Sequence, residues 1–128
     1  MKIKVSEASG PVLDWMVAKC LGANFVHGDY EYATISDKVW ARGGSQERRY
    51  SADWSQGGPI IERLHRLDQS DSGQWFAEIR VYHDGRRAYT TSFDRSVLGV
   101  GATPLIAAMR CFVASKLGDE VDVPDELL

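Results

Sequence analysis

Residues 103–118, TPLIAAMRCFVASKLG, demand a helix that lies on something flat. Thr103 is a good N-cap, Pro104 suits the first helical position, and Gly118 suits the stop. Leu105, Ile106, Met109, Phe112, Val113 and Leu117 supply the apolar side, while Ala107, Ala108 and Ala114 are small enough to admit a close neighbour. A helix of this length is marginal alone in water, so its burial has to come from tertiary packing. The partner expected is a sheet.

The clearest strand signal is Trp75 to His83, Asp84-Gly85, Arg86 to Phe93, which has the two-residue loop of a type I′ hairpin. That loop predicts Val81 opposite Ala88, Arg80 opposite Tyr89 and Tyr82 opposite Arg87. Counting by twos sends Trp75, Ala77, Ile79, Val81, Ala88 and Thr90 to the core. Phe76, Glu78, Arg80, Tyr82, Arg87, Tyr89, Thr91 and Phe93 then face outward.

Elsewhere Lys2 to Val5 reads as a short strand, and Pro11 to Leu21 as a helix with Ser6 or Ser9 as its cap. Two short strands are expected near Tyr30 to Ile35 and Lys38 to Arg42, followed by a polar loop from Gly43 to Arg49. Pro59 reads as the first residue of a shorter helix running to about Leu67. The fold class expected is α+β: an antiparallel sheet of about four strands, two main helices on one face, and the short helix at the edge. Residues 1–118 form one domain, with 119–128 as an acidic C-terminal tail, a surface tail or edge segment rather than part of the core.

Length and composition narrow the function classes. A chain of 128 residues with 44% hydrophobic side chains suits one core that folds without a cofactor. Cys20 and Cys111 each sit in an apolar helical stretch, as small buried thiols do in a reducing cytoplasm. Glu7 and Asp14 interrupt any export signal, and no stretch is long and apolar enough for a membrane span. The last ten residues carry five acids and no base; removing them from a formal charge of −3 leaves +2 for the rest. That near-neutral body does not favour tight non-specific binding of nucleic acid.

The segment DWSQGGPIIER, Asp53 to Arg63, is the candidate ligand site. With Pro59 as the first helical residue, free backbone donors would belong to Gly57, Gly58, Ile60 and Ile61, where the helix dipole also favours an anion. Asp53, Trp54, Ser55, Gln56, Gly57, Gly58, Ile60 and Arg63 compose this site. The competing reading is that Ser55 or Gln56 satisfies those donors, the glycines only make the turn, and Trp54 packs underneath. A helix terminus contributes about 0.3–2 kcal/mol to an anion, whereas micromolar binding needs about 8. Aromatic side chains would have to supply the rest.

The hairpin's outer face offers them. Arg80, Tyr82, Arg87, Tyr89 and Phe93 form a surface able to stack a base, hold a phosphate, or receive another protein. Cross-strand pairing on a half-wet sheet explains the same residues without a ligand. Catalysis has less support: His27, His65 and His83 have no ligand-like spacing to each other or to the cysteines, and Asp53 and Glu62 share no local geometry.

DWSQGGPIIER, taken with TPLIAAMRCFVASKLGDEV (Thr103 to Val121) and LDWMVAKC (Leu13 to Cys20), resembles the NinX-like family of phage proteins over almost the whole chain. The resemblance implies an accessory protein of a tailed phage or prophage in a bacterial host cytoplasm. It brings no catalytic residue, metal or cofactor. Together the residues and the resemblance favour non-enzymatic binding of a small anionic or nucleotide-like ligand; the alternative is a module docking on a host or phage protein through the outer face of the 75–93 hairpin.

Overall fold

In the computed structural model, which describes residues 1–22, 24–25, 33–35, 38–40, 49–81 and 95–127, the elements run in the following order. They are β1 (Lys2–Lys4), a 3-10 turn at Val5–Glu7, α1 (Gly10–Cys20), β2 (Asn24–Phe25), β3 (Ala33–Ile35), β4 (Lys38–Trp40), α2 (Trp54–Ile61), β5 (Arg66–Gln69), β6 (Trp75–Val81), β7 (Arg95–Gly101), α3 (Pro104–Leu117), β8 (Glu120–Asp122) and a 3-10 turn at Asp125–Leu127. The fold is α+β. Among the described residues the strands distribute over three antiparallel sheets, ordered β1-β8, β2-β3-β4 and β5-β6-β7.

Helix α3 organises the core. Thr103 Oγ1 accepts the Ile106 amide at 3.2 Å, and Gly118 ends the helix at φ 88, a left-handed value that glycine adopts without strain. One side of α3 lies on β6 and β7, while α1 and α2 pack on the helix itself. Phe112, Leu13, Met16, Met109, Val17, Val113 and Cys111 are the largest fully buried side chains of the core. Burial of each large apolar side chain contributes about 1.5–3 kcal/mol, so this cluster is the main source of stability. The helix reaches the sheet closely because Gly99 and Gly101 stand beneath it. A Cβ on Gly101 would lie 2.6 Å from Ile106 Cγ2, and one on Gly99 would run into the Ala107 carbonyl.

Helix α1 is apolar on most of its circumference, with Leu13 to Ala18 all buried. The exception is Asp14, whose Oδ1 accepts the Ser51 amide at 2.8 Å. This bond ties α1 to the turn that precedes α2, and Tyr50 and Ser51 are buried with it. A buried carboxylate is tolerated where backbone donors meet it.

Two expectations change. The helix expected from Pro59 to about Leu67 spans Trp54–Ile61 instead, and Arg66–Gln69 is strand β5. Strand β6 pairs with β5 on one side and β7 on the other, and the register of the second places Arg80 opposite Ser96 and Val81 opposite Arg95, in place of the register the two-residue loop predicts. The two-residue-loop register assumed that the nearest β-prone segment was the neighbour, but long-range packing of β7 on α3 selects 95–101 instead. The Asp84-Gly85 turn lies outside the described residues. The facing of β6 is as expected, with Trp75, Ala77, Ile79 and Val81 toward the core.

The acidic end is an edge segment, the second of the two forms expected of it. Glu120–Asp122 pairs with β1, putting Ile3 opposite Val121, and Val121 and Val123 are buried. Alternation explains this, because the two valines face inward between acids that face solvent. No helix among the described residues is long and apolar enough to cross a membrane.

Candidate functional site

The segment Asp53–Arg63 folds differently from its expected form. Helix α2 starts at Trp54, five residues before Pro59, and Asp53 is its N-cap. Asp53 Oδ1 accepts the Ser55 amide at 2.9 Å and the Ser55 hydroxyl at 2.7 Å. The Asp53 carbonyl accepts the amides of Gln56 at 3.1 Å and Gly57 at 2.8 Å. These bonds hold the Asp53 carboxyl below its ordinary value, the Ser55 hydroxyl and amide being the main causes. The helix start already has its own anion.

Pro59 therefore lies inside the helix and leaves the Ser55 carbonyl without its i+4 donor, which normally costs about 3 kcal/mol. Two neighbours offset that cost. Gly58 has no Cβ to meet the Pro59 ring, which removes the usual restriction on a residue before proline. Gly57 is buried against the Tyr50 carbonyl and Leu105, and Ile60 is buried beside them. Gly57 allows this close packing and its amide is engaged within the chain, while Gly58 serves the Pro59 ring beside it.

The remaining members of the expected ligand site disperse. Trp54 does not pack underneath but is 56% exposed. The Gln56 side-chain oxygen accepts the Arg49 amide at 2.6 Å, anchoring the preceding turn. Arg63 lies past the C-terminus of α2, its guanidinium 5.1 Å from the centroid of the Phe112 ring. It is a cation on an aromatic at the core's rim.

The outer face of the β5-β6-β7 sheet gathers a different set. Register places Asp68, Phe76 and Val100 in one row and Arg66, Glu78 and Leu98 in the next, with Arg80 and Ser96 beyond them. Phe76, Leu98 and Val100 are 40%, 63% and 38% exposed. The charges around them pair off within the face: Arg66 Nη2 lies 2.8 Å from Asp68 Oδ2, and Arg80 Nε lies 3.2 Å from Glu78 Oε1. What faces solvent is an apolar corner with a neutralised polar border. Of the expected interaction residues, Arg80 stands on this face, bonded to Glu78 and not set against Tyr89; Tyr82, Arg87, Tyr89 and Phe93 lie outside the described residues.

Two concavities flank the corner. One, of about 310 Å³, is lined by Arg66, Asp68, Gln69, Phe76, Glu78 and Leu98 among others. The other, of about 360 Å³, lies between β7 and the Lys4–Ser6 and Asp119–Glu120 segments, with Arg110 and Ala114 of α3 also in its lining. Leu98 borders both. Neither Leu98 nor Val100 was singled out from the sequence, because Gly99 and Gly101 break up the apolar alternation that would have revealed β7 as a strand.

The thiols contribute no nucleophile. Cys111 is buried with its Sγ donating to the Val97 carbonyl at 3.2 Å, and burial pushes both Cys111 and Cys20 up to about 12. At neutral pH the thiolate fraction is then roughly one in 10⁵. Native protein is expected to react negligibly with a disulfide-exchange reagent and to yield two thiols after denaturation. Rapid reaction of either thiol in the native state would contradict this burial.

Among described residues no group of three or more His, Cys, Asp or Glu side chains is arranged to hold a metal ion. His65 sits at the sheet edge instead, its Nδ1 accepting the Arg80 amide at 3.1 Å. The family model for Bacteriophage P22 NinX matches residues 4–116, from β1 through nearly all of α3. The chain belongs to the NinX family. It is a phage accessory protein, and the match takes in α2 and the whole β5-β6-β7 sheet. No curated protein matches the chain.

Proposed function

We propose that this NinX-family protein acts in the bacterial host cytoplasm by non-enzymatic binding, docking on a host or phage protein through the outer face of the β5-β6-β7 sheet. The observation that carries this reading is the exposure of Phe76, Leu98 and Val100 side by side on that face, inside a border of charges that neutralise one another. Contiguous apolar surface of this kind favours association, and aromatic residues such as Phe76 are enriched at interface cores while charges are depleted there. A small anionic or nucleotide-like ligand at Asp53–Arg63 has less support, because the helix-start donors of α2 are met by Asp53.

The test uses tagged full-length protein produced during phage infection, with the co-purifying partner identified and quantified. Phe76→Asp places a charge in the centre of the apolar corner and is expected to reduce recovery of that partner by roughly tenfold or more, while Trp54→Ala, at the exposed start of α2, retains it. Undiminished recovery with Phe76→Asp, in protein of unchanged thermal stability, would rule the sheet face out as the docking site.

A further inference from the structure

We propose that the chain also pairs with a second copy of itself, β7 against β7 about a two-fold axis at Leu98, so that two three-stranded sheets join into one of six strands. This goes beyond the docking reading and does not need it, since the edge lies in the plane of the sheet and the docking surface lies above it.

Backbone direction shows which groups of β7 are open. Along a strand, the N–H and C=O of successive residues point to alternate sides. The His65 amide donates to the Glu78 carbonyl at 2.8 Å, and the Arg80 amide donates to His65 Nδ1 at 3.1 Å. Glu78 and Arg80, and with them Phe76, therefore direct their backbone groups toward β5. Their partners across the sheet are Leu98, Ser96 and Val100, which consequently point away from β6. Arg110 supports this independently: its Nη1, reaching from α3, donates to the Val100 carbonyl at 2.7 Å.

Among the described residues β7 is an edge strand, and no bond to the outward amides of Ser96, Leu98 and Val100 is present. The 360 Å³ groove runs along this edge. Monomeric proteins usually guard such edges with charges, proline or bulges, yet Ser96 to Gly101 carries no charge and no proline. Its two glycines are not guards either, because the approach of α3 requires them.

Three features select a second copy as the occupant. Alternating main-chain donors and acceptors are matched only by another extended backbone. The outward set of Ser96, Leu98 and Val100 is symmetric about Leu98, so an antiparallel two-fold sets Leu98 opposite itself and Ser96 opposite Val100. The carbonyl held by Arg110 keeps a second lone pair for that purpose. The groove border also carries both signs, Lys4 and Arg110 with Asp119 and Glu120, as a surface that meets its own copy must if it is not to repel itself.

The experiment is sedimentation equilibrium of the full chain across a wide concentration range, with residue-resolved amide exchange at both ends of it. The expected result is a reversible dimer in which the Ser96 and Leu98 amides exchange more slowly as concentration rises, while Val97 and Gly99 do not change. Leu98→Pro removes an N–H that points off the sheet while leaving the donors of the β6-β7 ladder in place, and is expected to weaken association by roughly tenfold or more. Leu98→Lys keeps every backbone group, sets like charges together on the axis, and decides the matter should the proline variant unfold. Phe76→Asp is expected to dimerise normally. A monomer at every concentration, a dimer not weakened by Leu98→Lys, or one abolished by Phe76→Asp would each overturn the proposal.

Discussion

Alanine at position 57 is expected to destabilise the protein by about 2–3 kcal/mol, while alanine at the adjacent position 58 should leave stability within about 0.5 kcal/mol of wild type. A Cβ on Gly57 would run into the Tyr50 carbonyl and lie 2.8 Å from Leu105 Cδ2, and a backbone carbonyl cannot turn aside as a side chain can. The helix-propensity gain of about 1 kcal/mol offsets only part of this. At Gly58 nothing lies within 4 Å apart from chain neighbours, so the same gain is available, but the new Cβ meets the Pro59 ring. Paired denaturant titrations measure the contrast. Equal effects at the two positions would mean that Gly57 does not pack as described, and a stable Gly57→Ala would return the glycine pair to consideration as a ligand contact.

Gly99→Ala is the second large effect, expected to cost about 3 kcal/mol or more. The added methyl would be directed into the Ala107 carbonyl and within 2.8 Å of Cys111 Cβ, at the closest approach of β7 to α3. Relief requires α3 to lift from the sheet, which loosens Phe112, Met109 and Cys111 together. The midpoint of urea unfolding should fall with an unchanged slope, because the surface exposed on unfolding is the same. A second readout is Cys111: as α3 lifts, its thiol should become reactive where the wild-type thiol is not. A variant as stable as wild type would show that the helix and strand do not meet through this glycine.

Both substitutions fall where the sequence was hard to read. Helices α1 and α3 were legible to within a residue or so because their limits are local: Pro11 and Pro104 near the start, Thr103 as a cap, and glycine past the end. Strand β6 was legible in its facing because alternation is also local. Helix α2 was not, since Pro59 suits a first helical position better than an interior one. The Asp53 cap and the fit of Gly57 against Tyr50 and Leu105 show why the helix begins at Trp54 instead. Strand β7 was concealed by its glycines, which have no meaning until α3 is placed above them.

The candidate site divides along the same line. Asp53, Ser55 and Gln56 were recognised as polar groups at a helix start, but it took the fold to show them satisfying one another and the adjoining turn. Arg80 was recognised as outward-facing; its neighbours Leu98 and Val100 came from a strand not read as one.

By itself the sequence determined the α+β class, the limits of two helices, the facing of one strand, and the resemblance to NinX-like proteins, because caps, periodicity and matching segments act over short stretches of chain. Tertiary structure alone decided that β6 pairs with β7, that the acidic end joins β1, and that Gly57, Gly99 and Gly101 serve close packing. Those outcomes depend on which distant backbones approach within a few ångströms, and no local preference carries that information.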